Sequence, residues 1–243
     1  MPILSLPDAS IAFDDRGDGP PILLVHGHPF NRSMWDPQVE VLQQRWRVVT
    51  SDLRGYGESS VTPGEVRLER HAADLAGLLD HLGIDRVILG GLSMGGQLAM
   101  EFVWQHRARV TALLLADTFP YRDAPAQRQA RYDTADRLER EGMGWYVEAN
   151  LGKMVDPANL EAMPSVRDHV SGMMASTPPR GAAASLRGRA ERRDYMPLLP
   201  TIDIPTLVVV GSADVFTPVS DGELMREHIP GADLVVVDGA GHM

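Results

Sequence analysis

The segment "GGLSMGGQLAM", Gly90 to Met100, follows the apolar run Val87 to Leu89 and continues as a helical pattern. A serine with glycine two places before it and two after it, at such a boundary, constrains the chain more than any other stretch. Between a strand and a helix, G-x-S-x-G forms a nucleophile elbow: the serine takes strained backbone at the strand's end and its hydroxyl projects from the sheet. Gly91 and Gly95 keep side chains out of the space where strand and helix nearly collide. The helix N-terminus behind Ser93 offers free N–H groups and a positive dipole end to a developing oxyanion. The plainer alternative is a glycine-rich turn in which Ser93 only caps the helix.

The surrounding pattern supplies the strand and the helix. "PILLVHG", "WRVVTSD", "RVILGG" and "VTALLLADT" read as strands buried on both faces. Between them, Asp36-Pro37 opens one helix, and Leu68, Ala72, Leu75, Leu79 and Leu82 form the apolar stripe of a second, ended by Gly83. Leu98, Phe102 and Trp104 lie along a third, after the serine. Alternating strands and helices predict a parallel sheet covered on both faces. From Phe119 to about Pro200 no strand-like run occurs; helical stretches rich in Arg, Ala and Met take its place. Two more strands follow, at "IPTLVVVGSAD" and "ADLVVVDGAGHM", with a helix near "SDGELMREH". The expected organisation is a core of residues 1–118 and 201–243 carrying a helical cap, or lid, of residues 119–200. Such insertions cover the crevice at the carboxyl ends of the strands.

A serine needs a base, and the base needs an orienting group. Of eight histidines, His71, His81, His106 and His228 fall on helices read as surface helices, and His169 falls in the insertion. His242, in a glycine turn after a late strand, is the candidate base. Asp214, just past "TLVVVG", is the candidate acid; Asp117 at the next strand end is its rival, and Asp52 reads as a structural turn held by Arg54. The order Ser93, Asp214, His242 is the order this constellation takes on a strand–elbow–helix sheet. Oxyanion donors are expected at the backbone N–H of Met94 and of His28; Pro29 has none to give. His26 and His28 lack a nearby third ligand, so no metal is expected there. Met143, Trp145 and Tyr146 are candidates for an apolar substrate pocket in the insertion, with packing of its own core as the plainer reading. No arginine of the insertion stands out over its neighbours as a carboxylate clamp.

Composition narrows the remaining classes. The chain of 243 residues carries a net charge of −10, which disfavours nucleic acid and anionic membrane as partners. It contains no cysteine, which removes disulfides, thiolate catalysis and thiolate-bound metal. The opening "MPILSLPDAS" lacks the marks of a secretory signal, so a cytoplasmic location is expected.

The pieces "HGHPFNRSMW", "DLRGYGES", "GLSMGG", "GSADVFTP" and "GAGH", in this order, make the chain resemble the α/β-hydrolase superfamily over nearly its whole length. Within it the chain is similar to esterases, enol-lactonases and cofactor-free haloperoxidase-like perhydrolases. The resemblance implies an α/β-hydrolase fold with a helical cap before the last two strands. It also implies hydrolysis of a small ester or lactone through an acyl-enzyme, with neither metal nor organic cofactor. Carbon–carbon bond hydrolysis and perhydrolysis use the same three residues, and some proteins of this fold only bind small molecules. Ser93 stands where haloalkane dehalogenases and epoxide hydrolases carry aspartate, which disfavours those chemistries. Family members usually continue past the histidine into a last helix, whereas this sequence stops at Met243; a loosely held His242 is the corresponding expectation.

Overall fold

The computed structural model describes residues 2–243. Among these residues, eight strands form one sheet in the order β1-β2-β4-β3-β5-β6-β7-β8. The strands are β1 (Ile3–Leu6), β2 (Ala9–Arg16), β3 (Pro21–Val25), β4 (Arg47–Ser51), β5 (Val87–Leu92), β6 (Val110–Ala116), β7 (Thr206–Gly211) and β8 (Asp233–Val237). From β4 to β8 every pairing is parallel; β1 and β2 join antiparallel at one edge. The sequence pattern does not mark this first hairpin, because "ILSL" and "IAFDDR" are short and partly polar.

Alternation along the central strands sends residues to two cores. Leu23 and Val25 of β3, Leu89 of β5 and Leu113 and Leu115 of β6 face one side. There they meet α2 (Leu68–His81), α3 (Met94–His106) and α9 (Val219–His228). Ile22, Leu24 and Ala116 face the other side, against Met34 and Trp35. Partly buried Val39 and Leu42 of α1 (Asp36–Leu42) pack beside them. This two-sided burial is why the strands read as unbroken apolar runs. At the far edge β8 is less covered: Val235, Val236 and Val237 are exposed.

Five helices lie between β6 and β7: α4 (Pro125–Glu141), α5 (Gly144–Met154), α6 (Pro157–Ala162), α7 (Pro164–Ser176) and α8 (Pro179–Ala190). The stretch from Asn159 to Ser176 is two helices rather than one, since Pro164 cannot continue α6 and instead opens α7. Met154 of α5 and Val170, Met173 and Met174 of α7 join the second sheet core. The helix α8 packs lengthwise on α4 through Ala182, Ala183 and Leu186.

Two sequence expectations need correction here. His71 does not sit on a solvated helix face: it is fully buried in α2, with Nε2 3.3 Å from Ser185 Oγ of α8. The second buried face of α2 exists because α8 covers it, and the local sequence of α2 carries no sign of that. Trp104 lies on α3 as its pattern predicts, 43% exposed, with the Arg193 guanidinium over its ring. Arg54 does not hold Asp52; it pairs with Asp74 and Asp8, while Arg32 binds Asp52.

Candidate active site

The elbow is built by steric exclusion. Ser93 stands between β5 and α3 at φ +56°, in the left-handed region that costs a residue with a Cβ energy to occupy. Its backbone N–H donates to Ala116 O at 2.8 Å, and its carbonyl accepts from Thr118 Oγ1 at 2.7 Å. A Cβ on Gly91 would run into the Gly95 carbonyl, and one on Gly95 into the carbonyl of Val25. Strand, turn and helix are therefore backbone against backbone, and the hydroxyl has nowhere to point but the rim.

Asp214 and His242 meet at the same rim. Asp214 follows β7; its Oδ1 accepts from Phe216 N at 2.7 Å and its Oδ2 lies 2.7 Å from His242 Nδ1. With the proton on Nδ1, Nε2 is left as an acceptor. Contrary to the expectation of a loose hold, His242 is only 3% exposed and lies edge-on to Phe216. Its turn is fixed from two sides. Ala213 N donates to Ala240 O at 2.8 Å, and Asn159 of α6 reaches Gly239 O at 2.8 Å. Ser93 and His242 line one cavity of about 240 Å³. Among the described residues no hydrogen bond joins the Ser93 hydroxyl to the ring, a gap common in unliganded hydrolytic sites.

Asp117 is part of the same cluster. One ligand atom each from Asp117, Asp214 and His242 lie within 4.8 Å of one another. Asp117 takes φ +43° and its Oδ1 accepts from Gly211 N at 2.8 Å. Burial, aided by the adjacent Asp214 carboxylate and opposed by the Gly211 N–H, pushes Asp117 up to about 8. Two carboxyls this close share one charge. Asp117 thus stands protonated near neutral pH, beside the Asp214 carboxyl whose Oδ2 faces the imidazole. The trio has the donor types of a metal site, but three of its donor atoms are already engaged: Asp117 Oδ1 by Gly211, Asp214 Oδ1 by Phe216, and Asp214 Oδ2 by His242.

The loop after β3 faces Ser93 from the other side. Gly27 packs so closely that a Cβ there would lie 3.3 Å from Ser93 Cβ. The backbone N–H of His28 has no acceptor among the described residues. Met94 is the first residue of α3, so its N–H has no intrahelical partner. Asp52 fixes this loop: its Oδ1 accepts from Arg32 N at 2.8 Å, its Oδ2 accepts from Glu58 N at 2.8 Å, and the Arg32 guanidinium pairs with the same carboxylate. His26 is occupied at both ring nitrogens, by Gly27 O at 2.8 Å and by Leu53 N–H at 2.9 Å. His28 Nδ1 bonds the Tyr56 hydroxyl at 2.8 Å. Burial lowers the proton affinity of both rings.

Of the three pocket candidates the structure brings only Tyr146 to the cavity, where it meets the His28 ring edge-on. Met143 is buried between α4 and α8, and Trp145 packs under the Arg137 guanidinium, 3.9 Å from the ring centroid. Met143 thus belongs to the core between these helices, whereas Trp145 also lines an adjoining cavity of about 430 Å³ that shares Gln127, Arg131, Tyr146 and Leu186 with the Ser93 cavity. Met143 and Trp145 are replaced at the Ser93 cavity by residues the sequence reading left unnamed, above all Arg189 of α8 and Leu186. Arg189 carries no local signature, being one of many arginines in "RGAAASLRGRAERR". A larger cavity of about 570 Å³ lies outside, between Arg122, Arg128 and Glu191, and includes neither Ser93 nor His242.

An eight-stranded, mostly parallel sheet with a serine elbow and a histidine–aspartate pair at its rim defines an α/β hydrolase. The family model of the alpha/beta hydrolase fold matches residues 20–243, and the chain belongs to that family. Among curated relatives it is 28% identical to 3-oxoadipate enol-lactonase 2 of Acinetobacter baylyi, over 99% of this chain and 91% of that one. It is 30% identical to 3-oxoadipate enol-lactonase 1 of the same organism, over 96% of this chain and 86% of that one. Among solved structures it superimposes on a malate-bound thermophilic esterase from Thermogutta terrifontis. That match has a TM-score of 0.95 and 42% identity, covering 99% of this chain and 89% of the other. No helix among the described residues is long and apolar enough to cross a membrane.

Proposed function

We propose that the protein is a serine hydrolase of small carboxylic esters or lactones. The observation that carries the reading is the 2.7 Å bond from His242 Nδ1 to buried Asp214, beside the cavity that also holds Ser93. Family membership and likeness to enol-lactonases and an esterase support ester-bond hydrolysis as the reaction class. Ser93 Oγ attacks the acyl carbon while His242 Nε2 takes its proton. Asp214 holds the ring and stabilises its charged form. The N–H groups of His28 and Met94 receive the oxyanion, each donor contributing about 3 kcal/mol to the barrier reduction. His242 then protonates the leaving alkoxide, the acyl-enzyme forms, and the same ring activates water to release the acid. Protonated Asp117 keeps a second negative charge away from the pair.

The test is turnover of p-nitrophenyl esters and small lactones by wild type and Ser93→Ala. The variant is expected to fold normally and to lose at least about 10⁴-fold in kcat/KM. Retained turnover in a folded Ser93→Ala protein overturns the reading.

A further inference from the structure

The wall of the Ser93 cavity gathers more positive charge than the protein neutralises. Arg131 and Arg192 share one carboxylate, Asp123. Arg131 spans its two oxygens at 2.5 and 3.0 Å, and Arg192 does so at 2.7 and 3.0 Å. Both oxygens are thereby taken. Arg189, 7% exposed and lining the cavity with Ser93, has no carboxylate at ion-pairing distance among the described residues. Its Nε donates to Gln97 Oε1 at 2.7 Å, and its terminal nitrogens have no acceptor among the described residues. Arg131 and Arg189 line the cavity with Asp123, and Arg192 grips the same carboxylate from the outer cavity, so the cluster leaves positive charge in excess in a chain whose net charge is −10. Of the other acids at the rim, Asp214 faces His242 and neither it nor Asp117 lines the cavity.

Burying a guanidinium without an anion is costly, and a carboxylate that meets its fork with two parallel bonds offsets that cost. We infer that Arg189 is the anchor for a carboxylate carried by the substrate, so that the site is built for anionic esters or lactones such as half-esters of short dicarboxylic acids. The inference rests on the hydrolase reading for the reaction, though the anion site stands on its own geometry. Burial, with Arg131 and Arg192 close by, works against the charge on Arg189, and a bound carboxylate relieves both effects. Gln97 is the positioning residue: buried in the first turn of α3, it holds the Nε edge and leaves the terminal edge for the ligand. The cavity volume of about 240 Å³ suits a short acyl chain that ends in a carboxylate.

Two readouts test this. Calorimetric titration with glutarate is compared with titration by neutral glutaramide, and kcat/KM for mono-p-nitrophenyl glutarate is compared with that for p-nitrophenyl valerate. Wild type is expected to bind glutarate and not glutaramide, and to prefer the half-ester. Arg189→Met is expected to weaken glutarate binding and lower the half-ester to valerate ratio by about 10–100-fold, with partial rescue in Arg189→Lys. Gln97→Glu keeps the arginine and supplies an internal carboxylate, so it is expected to abolish the preference even if Arg189→Met fails to fold. Arg189-dependent glutarate binding without turnover of any ester keeps the anion site and refutes the hydrolase reading. Turnover of valerate with no glutarate binding and no half-ester preference does the reverse. Equal loss on both esters in the Arg189 and Gln97 variants overturns the anchor.

Discussion

The elbow around Ser93 and the helices α4 to α8 solve different problems with different materials. At the elbow, carbonyls of Val25 and Gly95 occupy the places where side chains at Gly95 and Gly91 would begin, so position is set by backbone contact. Among the inserted helices, α4 and α8 are tied by small side chains and by arginines that share acids, as Arg131 and Arg192 share Asp123. A backbone contact tolerates one residue type, whereas an ion pair can be drawn from many arginines and many acids. On the proposed function, reaction chemistry is fixed in the first region and selectivity in the second.

A glycine pair separates the two regions most sharply. Gly95→Ala drives a methyl into the Val25 carbonyl and is expected to cost about 4 kcal/mol or more in urea unfolding, with loss of turnover. Gly152→Ala, on an open face of α5, meets nothing within 4 Å and is expected to stabilise by about 0.5–1 kcal/mol. Similar effects at the two sites would erase the contrast.

Between these extremes lies an acid-sensitive seam. Burial lowers His71 to about 3, so it stays neutral beneath α8 while the unfolded chain takes up a proton below about 6.5. The unfolded state then binds more protons, and stability falls as pH drops from about 6.5 toward 3, by about 1.4 kcal/mol per pH unit from this group. His26 and His28, also lowered, act in the same direction. His71→Gln is expected to flatten the fall in melting temperature between pH 6.5 and 4. An unchanged slope would remove His71 from the account.

The sequence made the elbow legible because steric exclusion writes itself as glycines at fixed spacing. The strands β3 to β7 were legible because two-sided burial demands apolar runs. Asp214 and His242 could be placed at strand ends by chain order alone. The helix α8 escaped notice for a physical reason: it packs through Gly181 on Gly55 and Gly188 on Val66, so its buried face is glycine and alanine rather than a leucine stripe. Arg189 went unseen with it. Which guanidinium lacks a carboxylate depends on where acids distant in the chain, such as Asp123, come to lie, and no local pattern encodes that. Met143 falls in the helical core rather than the cavity for the converse reason, since large apolar residues serve a small helical core as readily as a pocket.

The most direct measurement is reaction with a serine-directed fluorophosphonate, followed by tryptic mapping. The peptide Val87 to Arg107 contains Ser93 and no other serine. The account predicts a single adduct on that peptide, formed at least about 10³-fold more slowly in His242→Ala. An adduct elsewhere, or a rate indifferent to His242, would contradict it.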